Sequence, residues 1–235
     1  MNLLLFSAKD RNESGQLQIS DARLEHLLEV HGKGRGDTVR VGEINGNMGN
    51  ATIISIDKSA AILEPTLDQT PPAKLPLTLI VALPRPKMLR RILRAVAEFG
   101  VDELHLINSY RVEKSFWQTP VLRETVIEQY LLQGLEQSRD TNLPTIHQHK
   151  RFKPFVEDDL PDVIKGKQTL LAHPGEYPSC PRGVSGPTLV VIGPEGGFIP
   201  YEVEMLERAG CQAVSLGPRI LRVENAVSSL IGRLF

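Results

Sequence analysis

Cysteine is scarce in this chain: Cys180 and Cys211 are the only two in 235 residues. That excludes a disulfide framework and suits a reducing, cytoplasmic compartment. Neither cysteine has a metal-ligand spacing. His147 and His149 stand two apart, the wrong step for a helical zinc pair, so no metal is expected. No run approaches the roughly 20 apolar residues of a membrane helix, and the opening MNLLLF is too short for a signal peptide. The Walker phosphate-binding signature is absent, and Gly32–Asp37 fails the dinucleotide-binding pattern at its last position. An excess of charge of one sign is missing as well, since the formal net charge is -1.

The charge is unevenly placed, however. Residues 73–99 hold Lys74, Arg85, Lys87, Arg90, Arg91 and Arg94 against Glu98 alone, while the flanking segments are net acidic. A concentrated cationic stretch is what a polyanion feels, whatever the total. The hydrophobic content of 41% is enough for a sizeable core.

Most of the information lies between Leu189 and Asn225. Two short apolar runs, Thr188–Ile192 and Ala213–Leu216, each close on a Gly-Pro, at Gly193-Pro194 and Gly217-Pro218. Such runs read as buried parallel strands. A helix fits between them, with Pro200 in its first turn, Tyr201 to Ala209 as its body and Gly210 as its stop. A last helix follows over Glu224–Leu234. Both loops fall at carboxyl ends of strands, where open α/β sheets bind ligands. Gly193, Gly196 and Gly197 allow a backbone to approach a ligand closely. A third such loop, His173-Pro174-Gly175, ends the apolar run Gln168–Ala172.

Taken in order, residues 1–70 read as a small β-rich domain of the OB or PUA barrel kind. Its strand candidates are Gln16–Ile19, Thr38–Val41, Asn50–Ile56 and Ala60–Glu64, with Asn45-Gly46 as a hairpin turn and a helix over Asp21–Val30. Lys33, Arg35 and Arg40 are its candidate phosphate contacts. Residues 71–76 form a proline-rich linker, and 77–235 form an α/β domain of about five parallel strands. That domain opens with the strand Leu77–Leu83, a helix over Met88–Phe99 and a strand at Leu104–Ile107. Lys87, Arg90, Arg91 and Arg94 share one face of this helix, a candidate RNA face. A longer helix starts at Thr119-Pro120 and runs to Arg139, and the segment 147–162 carries little signal.

GPEGGF at 193–198, followed by LGPRILRVENA at 216–226, resembles the ribosomal small-subunit methyltransferase E family of the SPOUT superfamily. The resemblance extends through 83–101 and 135–144. It departs at Val223 and Asn225, where the family usually has Thr. It implies a PUA-like RNA-binding domain, a deep trefoil knot in the C-terminal domain, and a homodimer. It also implies S-adenosylmethionine bound among the knot loops, and methylation of N3 of a uridine in 16S ribosomal RNA. The cofactor contacts so implied are Leu171, His173, Pro174, Gly193, Pro194, Glu195, Gly196, Gly197, Leu216, Gly217, Ile220, Leu221, Arg222, Glu224, Asn225 and Ala226. N3 of uracil carries a proton at neutral pH, so a base or an anion-stabilising group is needed. Glu195 and Glu224 are the candidate bases, each also suited to cap the helix after it. Arg222, Arg139 and Arg85 are the candidates to stabilise the uracil anion or hold the RNA phosphate, and Arg85 joins the RNA-contacting set. Methylation of ribose or another base, and a non-catalytic RNA-binding role, are the rival readings.

Overall fold

The computed structural model describes residues 2–30 and 32–235. It divides into two compact units. The first holds residues 2–73 together with Leu132–Leu143, and the second holds Lys74–Leu131 with Pro144–Phe235.

The first unit is built on a mixed five-stranded sheet in the order β1-β3-β4-β5-β2. Its strands are β1 (Leu4–Phe6), β2 (Leu17–Ile19), β3 (Thr38–Glu43), β4 (Met48–Ile56) and β5 (Ala61–Gln69). β1 runs parallel to β3 and the other pairs are antiparallel. Every strand sends residues into one apolar core, among them Phe6, Leu17, Ile19, Val41, Ile53 and Leu63, which gives the sheet a barrel-like form. Asn45 turns the β3–β4 hairpin at φ 60, as its Asn-Gly pair predicts. Helix α1 (Ala22–Glu25) starts at Asp21, whose carboxylate accepts the Arg23 amide. The expected helix over 21–30 is shorter as an α-helix, because residues 26–30 take a π-helical turn.

The second unit contains a six-stranded, wholly parallel sheet in the order β11-β9-β10-β6-β7-β8. Its strands are β6 (Leu75–Ala82), β7 (Val101–Ile107), β8 (Thr145–His149), β9 (Gln168–Ala172), β10 (Thr188–Ile192) and β11 (Gln212–Val214). β10 is buried along its whole length, as a central parallel strand covered on both faces must be. β8 raises the expected five strands to six. β6 begins at Leu75, so the proline-rich connection is shorter than it reads.

Helix α2 (Pro86–Glu98) has Pro at its first position and buries Leu89, Ile92, Leu93, Val96 and Ala97. Phe99, expected on that stripe, caps the helix and is 40% exposed. The single helix expected over 119–139 is broken. Pro120–Leu122 forms a 3-10 turn capped by Thr119, Arg123 is extended, and α3 (Glu124–Ser138) follows. Two short helices, α4 (Phe152–Pro154) and α5 (Leu160–Val163), flank a π-helical turn. α6 (Pro200–Arg208) and α7 (Val223–Leu234) complete the unit.

Val223, Val227, Leu230, Ile231 and Leu234 of α7 are all buried within the chain. Their steps of four, three, one and three residues put them on one helical face. From Ala226, Val227, Leu230, Ile231 and Leu234 this helix is expected to bury more than one side; Ala226, off that face, is half-buried, and the terminal Phe235 is 41% exposed. The outer residues of α7 are Asn225, Ser228, Ser229 and Gly232.

Candidate active site

β11, β9 and β10 are neighbours, so the three loops leaving their carboxyl ends converge. Together with α7 they line a partly open pocket of about 630 Å³, its open mouth included. β9 contributes Ala172, His173 and Pro174. β10 contributes Ile192, Gly193, Pro194, Glu195 and Gly197. Ser215, Leu216, Gly217, Arg219, Ile220 and Leu221 follow β11, and Val223 and Ala226 come from α7. The wall is mostly apolar side chain and glycine-proline backbone, which suits a nucleoside-like ligand held by main-chain groups. Gly197 sits at φ +72, and a Cβ there would stand 3.6 Å from His173 Nε2. His173 donates from Nδ1 to the Pro174 carbonyl at 2.7 Å, which fixes the ring at the mouth of its loop.

Eleven of the expected cofactor contacts thus meet in one pocket. The other five lie elsewhere. Leu171 is fully buried in β9. Gly196 faces outward, where a Cβ would come within 3.0 Å of Arg111 Cδ. Arg222 precedes α7, Glu224 points to Arg91, and Asn225 is exposed. Ala172, Ile192, Ser215, Arg219 and Val223 line the pocket without having been named as cofactor contacts from sequence, although Val223 stands out there as a departure from the family pattern. Each neighbours an expected residue; Ala172 and Ile192 are placed by the ends of their strands, and Arg219 and Val223 lie inside the 216–226 motif itself.

A second, more open cavity of about 950 Å³ adjoins the first and shares Glu195, Ile220 and Leu221 with it. Its other walls are Arg85, Lys87, Met88 and Arg222. Three cations thus surround one carboxylate. Arg85 Nε lies 3.4 Å from Glu195 Oε2, and both side chains are about half exposed, at 63% and 45%. Glu224, by contrast, is 13% exposed in the first turn of α7 and pairs with Arg91 at 3.7 Å. An acid in that position is accounted for by the helix dipole and its partner. Of the two loop carboxylates, only Glu195 is open to an incoming substrate.

The basic face of α2 is less free than its sequence implies. Arg94 and Arg90 lie over the Tyr130 ring, at 4.8 and 6.0 Å from its centroid, and Arg91 is paired with Glu224. Lys87 alone of the four reaches the open cavity. In the first unit, Lys33 and Arg40 line a separate hollow with Asn2, Leu4, Leu27, Thr38 and Val39, and Arg35 is exposed outside it. Arg139 belongs to the first unit, exposed and at φ 60. Among the described residues no group of histidines, cysteines and carboxylates could hold a metal ion, and no helix is long and apolar enough to cross a membrane.

Residues 71–234 match the family described as an RNA methyltransferase domain. The chain is 30% identical over 232 residues to the ribosomal RNA small subunit methyltransferase E of Treponema pallidum, covering 96% of this chain and 87% of the relative. Among solved structures, a ribosomal RNA small subunit methyltransferase E from Neisseria gonorrhoeae bound to S-adenosyl methionine superposes with a TM-score of 0.77 at 22% identity, covering 98% of this chain and 95% of that one. A probable rRNA-methyltransferase from Porphyromonas gingivalis gives 0.72 at 26%, covering 97% and 94%. With its pocket, its loops and these relatives in agreement, the chain belongs to the ribosomal RNA small subunit methyltransferase E family of RNA methyltransferases.

Proposed function

We propose that this protein methylates N3 of a uridine in 16S ribosomal RNA, taking the methyl group from S-adenosylmethionine. The observation that carries the reading is the pairing of two adjoining cavities across one shared wall, Glu195, Ile220 and Leu221. One cavity has the apolar walls and glycine-proline backbone that suit the cofactor. The other is open and cationic, as an RNA nucleotide requires.

S-adenosylmethionine, when bound, supplies a methyl group on a cationic sulfur that needs little activation. The chain's own residues bind, orient and manage one proton. Ile192, Leu216, Leu221, Val223 and Ala226 provide the apolar walls, and the glycines bring main-chain groups within reach of the ligand. Arg85, Lys87 and Arg222 neutralise the RNA backbone and the negative charge that develops on the uracil. Glu195 accepts the N3 proton, because it is the accessible carboxylate on the wall between the cavities. The target base must leave its stack to enter.

The PUA-like character of residues 1–70 and the trefoil knot of the C-terminal domain belong to the same reading. A five-stranded barrel-like sheet supports the first. The converging loops after β9, β10 and β11 are consistent with the knot. The resemblance also implies a cytoplasmic homodimer. Sedimentation at micromolar protein is its direct test. The reaction is tested by incubating purified protein with 16S rRNA or small subunits and methyl-labelled cofactor, then digesting to nucleosides for mass spectrometry. We expect 3-methyluridine. A ribose-methylated nucleoside or another methylated base overturns the assignment, and absence of transfer to either substrate overturns the enzyme.

A further inference from the structure

Glu202 is 3% exposed, and among the described residues of the second unit it is the only buried carboxylate. No cation lies within ion-pair distance of it among those residues. Its oxygens instead accept two backbone amides from two different loops. The Tyr110 amide donates to Oε1 at 2.7 Å and the Ile199 amide donates to Oε2 at 3.1 Å.

Helix capping explains half of this. Glu202 is the third residue of α6, and an acid there normally reaches back to the amide before the helix. Capping does not explain the bond to Tyr110, which lies 92 residues earlier in the loop after β7. A second tie joins the same two loops. The Arg111 guanidinium donates to the Gly196 carbonyl, and to the Gly197 carbonyl at 3.4 Å. The loop that carries Gly193–Phe198 is thus held at its middle by Arg111 and at its end by Glu202, both against one short segment. That segment is itself anchored, since the Trp117 indole donates to the Asn108 side chain at 2.9 Å. Residues 108–112 line neither cavity.

We propose that Glu202 and Arg111 are positioning residues that latch the 193–198 loop into the shape that walls the cofactor pocket. The latch rests on the cofactor reading given above for its purpose, and on its own geometry for its existence. A buried carboxylate with no cation is retained at a cost. Two amides and a helix N-terminus offset that cost only while the loop stays docked. Releasing either tie frees the glycine-rich loop and leaves the sheet beneath it intact.

The test uses Glu202→Ala, Glu202→Gln and Arg111→Ala, with Arg111→Lys as the conservative control. Backbone amide exchange is followed in cofactor-free protein, and S-adenosylhomocysteine affinity is measured by calorimetry. In Glu202→Ala, exchange at Tyr110, Ile199 and residues 193–199 should rise at least about ten-fold, with β6, β7 and β10 unchanged. Affinity should fall by a similar factor. Glutamine offers one acceptor where the carboxylate offers two, so Glu202→Gln should free one amide and lose less affinity. It also serves if the alanine variant does not fold. Arg111→Ala should loosen residues 193–199 and weaken binding, and Arg111→Lys should restore part of both. Faster exchange throughout the second unit means a general folding role and overturns the latch. A loosened loop with unchanged affinity overturns its positioning role. Wild-type protein that binds no S-adenosylhomocysteine overturns the cofactor reading instead, and the exchange arm still decides whether the two ties hold the loop.

Discussion

Arg85, in the wall of the open cavity, lies 3.4 Å from Glu195, which stands on the wall shared by the two cavities. The arginine comes from the start of α2 and the glutamate from the loop after β10, so β6 and β10 must lie side by side for them to meet. An exposed pair of this kind adds little to stability. Its place beside the open cavity is what gives it a role in the proposed reaction. Glu195→Gln keeps the shape and removes the proton acceptor, and should lower kcat by about 100- to 10,000-fold. Cofactor affinity should stay within about three-fold of wild type if only the chemical step is lost. Arg85→Ala should raise KM for RNA as well as lowering kcat, because it removes a cation from the acceptor cavity. Steady-state kinetics with calorimetry separates these outcomes; equal activity in Glu195→Gln removes the glutamate from the chemistry.

Gly197 lies at φ +72 beside His173. Alanine at that torsion costs about 1–2 kcal/mol, and its Cβ would meet the imidazole at ordinary contact distance rather than clash. Gly197→Ala should therefore fold, with cofactor affinity weakened by about ten-fold if the strain is relieved by shifting the loop. Thermal melting with and without S-adenosylhomocysteine measures both. Stabilisation by the ligand as large as in wild type would mean that the loop keeps its shape despite the strain.

The parts of this fold that are legible in sequence are those where local chemistry and tertiary role coincide. β9 and β10 read correctly to the residue, because buried parallel strands are continuous apolar runs stopped by glycine or proline. For the same reason the loops after β9 and β10 begin where the sequence places them. β8 does not, since Thr145–His149 has almost no apolar residue. It becomes a strand by pairing with β7, where His105 stacks on His147 with ring centroids 4.4 Å apart. The break at Arg123 is equally silent, because the sequence there suits a helix and Arg123 is nonetheless extended. Glu202 and Arg111 escape notice for a different reason. Their partners lie 92 and 85 residues away, and no local spacing encodes such a bond. The basic face of α2 reads as a solvent-facing stripe because sequence shows its charges but not Tyr130 or Glu224 opposite them.

The histidines of that edge make stability pH-dependent. His105 is buried, and desolvation, with His147 and His149 beside it, pushes its pKa down from 6.5 to about 4. Glu103 opposes this from 3.7 Å, with Lys167 beyond it at 3.6 Å from the same carboxylate. His149, which pairs with Asp159 at 3.2 Å, is lowered as well, again chiefly by burial. Between about pH 4 and 6.5 the unfolded chain therefore binds more protons than the folded one. The contribution of these histidines is full above pH 6.5, falls as the pH drops through that window, and is lost by about pH 4. The loss from His105 is on the order of 3 kcal/mol. Denaturant unfolding at successive pH values should show this slope, and His105→Gln should flatten it. A variant with the wild-type slope would place the titration elsewhere.

RNA binding should divide the cations of α2 by what each already touches. Lys87 opens onto the acceptor cavity, whereas Arg90 and Arg94 stack on Tyr130, which leaves those two guanidinium groups partly committed within the protein. Each phosphate interaction removed from single-stranded RNA should lower the log–log salt slope of binding by about 0.7. Lys87→Ala should show that full decrement. Arg91→Ala should instead release Glu224, with a small loss of stability and little change of slope, because a partly exposed ion pair contributes about 0–1 kcal/mol. Arg94→Ala removes a cation–π interaction of about 0.5–1 kcal/mol and should register mainly in thermal stability. Filter binding of a 16S rRNA fragment across a salt series, beside melting curves for the same variants, reads both quantities. If all three single variants lower the slope equally, the helix face as a whole touches RNA, and the internal pairings open when it binds. If none does, the RNA path runs over other cations, and Arg85 and Arg222 are the next to test.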